Sequence, residues 1–167
     1  DAYTYYLLNH SNSTLAFKLV LNGSKNQIEQ LRKKIRLKKL ENHIEILQSL
    51  EYELLISYYK NAAILLIPLR NSDQDAARYP QKIAEYAACG RPIISNRIGQ
   101  VGIDFTHKKD IYFAESFNSI EYEKVIKNLL NNENLATNLG RNVTVLSQNL
   151  FDFRLYHLPL SKLILEL

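Results

Sequence analysis

Seven consecutive residues, Ala63-Ile-Leu-Leu-Ile-Pro-Leu69, carry no polar side chain. The run is far shorter than the roughly 20 residues that cross a bilayer. A strand that is apolar on both faces must be covered on both, and helices joined to parallel strands are the usual cover. The run therefore predicts the central strand of an α/β fold. With 167 residues, 46% of them hydrophobic, the chain is long enough for one domain with a sizeable core. Residues 1–167 are read as a single lobe.

The flanking sequence repeats the same logic. Phe17–Leu21 reads as a strand feeding the Asn22-Gly23 turn, and Ser24 with Gln27 matches a capping box opening a helix. Ile28, Leu31 and Ile35 fall on one face of that helix, and Arg32, Lys33, Lys34, Arg36, Lys38 and Lys39 crowd the other. Such a face is either a solvated surface or a patch for a membrane or polyanion. His43–Leu47 predicts a second strand, and Leu55, Tyr58, Tyr59 and Ala62 mark a helix leading into the apolar run. The polar segment Arg70–Asp75 then reads as a loop. A helix from Pro80 is stopped by Gly90 as a left-handed cap, and Pro92–Ser95 forms the next strand.

Beyond it come a loop at Gly99–Gly102, a short strand at Asp110–Ala114, a helix capped by Ser119 through Leu130, and a helix from Glu133 to Leu146. The tail Phe151–Leu167 is apolar on one face and split by Pro159, so it must pack on this lobe or on something else. Strands alternating with helices predict a Rossmann-like parallel sheet with helices on both faces, which takes ligands outside the carboxyl ends of its strands.

Charge and cysteine usage bound the partners. A net charge of +4 suits an anionic ligand without implying nucleic acid. The single cysteine, Cys89, excludes an internal disulfide framework and fits a reducing, cytoplasmic setting. His10, His43, His107 and His157 show no metal-ligand spacing, so neither a metal nor a cofactor is expected.

Two places could carry chemistry. At Asn22-Gly23-Ser24 a strand meets a helix start, where free backbone N–H groups favour an anion; a plain capped turn fits equally well. Lys82 and Glu85 lie one helix turn apart, behind the acidic loop with Asp73 and Asp75. They read either as a surface ion pair or as a donor site, with Lys82 near phosphate and Glu85 accepting from sugar hydroxyls.

The segment Tyr79-Pro-Gln-Lys-Ile-Ala-Glu-Tyr-Ala-Ala-Cys-Gly-Arg-Pro-Ile-Ile94 resembles the P-x-K-x-x-E-Y-x-A-x-G-x-P motif of the retaining GT-B glycosyltransferases known as glycosyl transferases group 1. The strand and turn Leu19–Gly23, the helix and strand Tyr58–Pro68 and the glycine loop Gly99–Asp104 agree in order and spacing with that family's C-terminal lobe. The resemblance implies a lobe that binds a UDP-, GDP- or ADP-sugar. Glu85 would hold the ribose hydroxyls, Tyr79, Pro80, Gln81 and Lys82 would meet the diphosphate or sugar, and residues 47–50, Ser49 among them, would border the base. Lys82 is the expected catalytic positive charge; Gly23, Ser24 and Asp75 complete the expected donor site.

The chain departs from the family in two places. An acid often found eight positions before Glu85 is replaced by Ala77, leaving Asp75 or Asp73 to substitute. The family's lobe also opens with a further strand and a loop carrying an arginine and a lysine, whereas residues 1–15 read as helical. The resemblance therefore implies a lobe incomplete on its N-terminal side, inactive alone, from a two-lobed enzyme of bacterial surface glycan synthesis. Its glycan or lipid-linked acceptor would sit on the other lobe, and the enzyme would work in the cytoplasm, with peripheral membrane contact as an option. Two alternatives share the fold: a nucleotide-sugar 2-epimerase and a non-catalytic binding or scaffold module.

Overall fold

The computed structural model describes residues 6–7 and 15–165. The helical reading of residues 1–15 lies outside them except at Tyr6 and Leu7, which are helical, and at Leu15. Five strands and eight helices alternate among the described elements: β1 (Phe17–Val20), α1 (Lys25–Leu37), β2 (Ile44–Leu47), α2 (Tyr52–Asn61), β3 (Leu65–Ile67), α3 (Asp73–Ala77), α4 (Lys82–Ala88), β4 (Ile93–Asn96), α5 (Val101–Asp104), β5 (Tyr112–Ala114), α6 (Ser119–Asn131), α7 (Glu133–Leu150) and α8 (His157–Leu165).

All strand pairs are parallel, as expected, but the described strands form two sheets instead of one. β1 pairs with β2, Phe17 opposite Ile44, while β3, β4 and β5 form the other ladder, with Leu65 opposite Ile93 and Ile94 opposite Tyr112. Between β1 and β3 lies an open cavity of about 790 Å³, lined on one side by Phe17–Val20, on the other by Leu65 and Leu66, and also by Tyr58, Ile126 and Leu130.

The three-stranded sheet holds the core. Its lower layer packs Tyr59, Leu69, Ile83, Ala87, Phe105 and Val143 against Ile67, Ile93 and Phe113, and its upper layer packs Tyr122, Val125, Ile126, Leu129 and Leu139 against Ile94, Tyr112 and Ala114. Apolar residues on alternate faces of one strand thus enter different layers, as period-2 geometry requires. The end of α4 meets α7 with backbones in contact. A Cβ on Gly140 would lie 2.2 Å from the Gly90 carbonyl oxygen, and Gly90 itself caps α4 with φ +69°.

Several expected boundaries shift. Asn118, not Ser119, caps α6, because its side chain accepts the Glu121 N–H at 2.9 Å. The polar segment Arg70–Asp75 is not all loop: Ser72 caps α3. The glycine loop after β4 likewise winds into α5. α7 runs on to Leu150, and Pro159 does not split the tail. It sits in the first turn of α8, where the missing N–H has no helical partner to lose. Along this tail Phe153, Tyr156, Leu160, Leu163 and Leu165 are exposed.

Candidate functional site

Beyond the carboxyl ends of β1, β2 and β3 the chain turns polar, because the apolar run must end where the chain leaves the core. β1 leads to Gly23 and Ser24. The capping box forms in full: the Ser24 hydroxyl accepts the Gln27 N–H, and Gln27 Oε1 accepts the Ser24 N–H at 2.9 Å. Gly23 and Ser24 are both exposed. β2 leads to the exposed Ser49, whose φ of +50° turns its N–H onto Asn22 Oδ1 at 3.1 Å. The structure therefore joins Ser49 to the Gly23–Ser24 turn through one hydrogen bond, side by side on the two-stranded sheet.

β3 leads to Arg70 and α3. Asp75 is buried, with Oδ2 accepting the Arg70 N–H at 2.8 Å and Oδ1 paired with Arg78 at 2.7 Å. Both oxygens brace the loop, whereas Asp73 stays exposed. Behind this loop Gly99, with φ +54°, comes so close that a Cβ there would lie 2.3 Å from the Ala76 carbonyl oxygen. Ala77 is exposed at the end of α3.

α4 carries Lys82 and Glu85 on one face. Lys82 Nζ donates to the Tyr59 hydroxyl at 3.2 Å and lies 3.4 Å from Glu85 Oε2. Burial by itself would lower the Lys82 pKa, but the hydrogen bond from Lys82 to Tyr59 and the Glu85 charge outweigh it and hold the pKa above its ordinary value. The ammonium stays charged at neutral pH. Tyr59 is raised by its burial, which the Lys82 contact only partly opposes, so it remains a phenol. Pro80 is half-buried and Gln81 exposed just ahead of α4. Tyr79 packs its ring on Phe151, with centroids 6.1 Å apart, and its hydroxyl meets no hydrogen-bond partner among the described residues. Burial first, and the Asp104 carboxylate second, push that phenol well above its ordinary pKa.

Two supports were not expected from the sequence. Asn96, buried at the end of β4, accepts the Leu69 N–H at 3.2 Å and the Tyr122 hydroxyl at 2.6 Å, and donates to the Ala114 carbonyl at 3.1 Å. One side chain thus fixes the carboxyl ends of β3, β4 and β5. Tyr59 is the other, because it reads as an ordinary apolar helix position. The signal for Asn96 was in view: two polar residues, Ser95-Asn96, close an otherwise apolar strand. Cys89 packs beside the core with its thiol pKa raised by burial, as expected of a small core residue. Among the described residues no cluster of His, Cys, Asp or Glu could hold a metal ion.

Residues 7–145, most of the chain, match the family described as Glycosyl transferases group 1. The chain belongs to this family. Over 129 residues it is 29% identical to an uncharacterized glycosyltransferase, MJ1178, of Methanocaldococcus jannaschii, covering 75% of this chain and 34% of that protein. Sucrose-phosphate synthase from Thermosynechococcus elongatus superposes with a TM-score of 0.80 at 16% identity, over 99% of this chain and 41% of that one. Anabaena HepE in complex with UDP-glucose gives 0.76 at 16% identity, over 98% and 45%. The C-terminal domain of a Glycosyl Transferase Group 1 protein from Francisella tularensis gives 0.70 at 14% identity, over 90% and 76%. The fold is that of GT-B glycosyltransferases, and the chain spans less than half the length of the first three of these relatives.

Proposed function

We propose that this group 1 chain is the donor-binding lobe of a retaining glycosyltransferase, taking a UDP-, GDP- or ADP-sugar. The observation that carries the reading is the Lys82–Glu85–Tyr59 group. It places a charged ammonium and a carboxylate side by side at the start of α4, next to the carboxyl-end loops where Rossmann-like folds bind ligands. A plain surface pair would not need a buried tyrosine holding the lysine in place.

In this reading Glu85 accepts from the ribose hydroxyls, and Ser49 borders the base. Lys82, Tyr79, Pro80, Gln81, Gly23 and Ser24 meet the diphosphate or sugar. With both Asp75 oxygens engaged, Asp73 is the acid open to the sugar, in place of the residue missing at Ala77. When the bond between the anomeric carbon and the diphosphate oxygen breaks, negative charge grows on the departing nucleoside diphosphate. Lys82 and the N–H groups at the start of α1 offset it, while the acceptor hydroxyl oxygen takes the vacated position on the anomeric carbon and its proton passes to the departing diphosphate oxygen. The acceptor, a glycan or lipid-linked glycan, is held by a second lobe, and the setting is bacterial surface glycan synthesis in the cytoplasm. HepE bound to UDP-glucose supports a UDP-hexose as the first donor to try.

Calorimetry with UDP, GDP and ADP tests the donor site. One nucleotide binds, and Glu85→Ala weakens it by about 10-fold or more, the loss of hydrogen bonds to a charged group. Binding by none of the three, or equal binding by the variant, overturns the assignment.

A further inference from the structure

Charge is distributed unevenly along the chain. Residues 25–39 hold seven basic side chains against the single acid Glu29, a net +6, while the whole chain carries +4, so the remaining residues sum to −2. All seven are exposed: Lys25, Arg32, Lys33, Lys34, Arg36, Lys38 and Lys39. Arg36 pairs with Glu29; Arg32, Lys33, Lys34 and Lys39 have no ion pair among the described residues. Arg32 stands four residues before Arg36 on α1, a like-charge spacing that weakens a helix.

These charges do not belong to the donor site. α1 starts at the Gly23–Ser24 turn and runs 13 residues, about 20 Å, away from it, so Arg32–Lys39 lie at its far end. Leu37 stands among them, 75% exposed. Basic side chains surrounding a projecting leucine suit a surface with anionic headgroups over an apolar layer. A nucleic acid backbone offers the charge but nothing for the leucine.

We propose that the far end of α1 and the turn after it, Arg32–Lys39, form a docking surface for an anionic phospholipid bilayer, with Leu37 entering the headgroup layer. The inference is independent of the donor reading: a chain that binds vesicles and no nucleotide keeps this surface and loses that function. The chain has no tryptophan, so Leu37→Trp makes a unique reporter.

Cosedimentation of the 167-residue chain with phosphatidylcholine vesicles, with and without phosphatidylglycerol, tests the proposal. Binding requires the anionic lipid and is lost as salt is raised from 50 to 300 mM, both test conditions set by the screening length. Joint Arg32→Glu, Lys33→Glu and Lys34→Glu substitution weakens binding on the order of 100-fold, near fivefold per basic residue. Leu37→Ser weakens it about tenfold. Leu37→Trp fluorescence shifts to the blue with anionic vesicles and stays put with polyuridylate RNA; should the charge-reversed chain fail to fold, this shift decides. Equal binding to both vesicle types, no shift, or tighter binding to the RNA than to vesicles overturns the proposal.

Discussion

β1–β2 and β3–β4–β5 are built from similar strands but live in different environments. In the three-stranded sheet nearly every strand residue is buried, helices cover both faces, and Asn96 satisfies polar groups from its neighbours. In the two-stranded sheet no strand residue is fully buried: half-buried and exposed positions alternate along β1, Glu45 is the exposed residue of β2, and an exposed Lys18–Glu45 ion pair crosses the ladder. An exposed pair contributes between nothing and about 1 kcal/mol. The contrast teaches that strand pairing alone does not place the stability of this lobe; coverage does.

The comparison breaks if equal truncations cost the same on both sides. Ile93, 0% exposed in β4, loses about 3 to 4 kcal/mol on Ile93→Ala, since the cavity it leaves lies between packed layers. Val20, 37% exposed in β1, loses less than about 1 kcal/mol on Val20→Ala. Urea denaturation of both variants measures the difference, and equal midpoints would remove it. Asn96→Ala strands the Leu69 N–H and the Ala114 carbonyl in the core and costs about 3 kcal/mol by the same measurement.

Gly140→Ala asks whether the helix layer of the buried half can yield. The new Cβ would meet the Gly90 carbonyl at 2.2 Å, backbone against backbone, with no flexible side chain to move aside. The expected loss is about 2 kcal/mol. A stability within error of the parent chain would show that α4 and α7 separate easily.

This difference in coverage also explains what could be read from the sequence. Ala63–Leu69 and Pro92–Ser95 announced buried parallel strands because a strand covered on both sides has no polar position to hide its pattern. Phe17–Leu21 was legible although Lys18 is exposed within it, because the largely apolar run ends at the Asn22-Gly23 turn. The division into two sheets was not, because apolar content records burial and not which edge pairs with which. Ser24, Gln27 and Gly90 were legible because caps depend on residues within four positions. The contacts of Asp75 were not legible: they depend on the Arg70 backbone and Arg78 lying across a turn that reads as loop. Tyr59 escaped notice because its hydroxyl meets Lys82 across 23 positions of chain.

The smallest effect sharpens the comparison at the outer edge of the buried half. His107 Nδ1 accepts the Phe113 N–H at 3.0 Å, and its ring lies against Tyr112 and Phe113, so the neutral imidazole with its proton on Nε2 is the form that fits. Burial first, then Lys108 and Arg97, lower its pKa from the ordinary value, against the opposing pull of Glu115. The folded chain therefore takes up this proton at lower pH than the unfolded chain does. Stability from this group is fully present above about pH 6.5, where both states are neutral. It falls as the pH drops from there through the lower folded pKa, because the unfolded state binds the proton first. Partial exposure keeps the change under about 1 kcal/mol. Thermal midpoints between pH 7.5 and 5 should slope downward for the parent chain and less steeply for His107→Gln. Lys18→Ala removes the ion pair of the two-stranded sheet without touching His107 and should leave the slope as it is, and an altered slope would move the pH response to the wrong sheet.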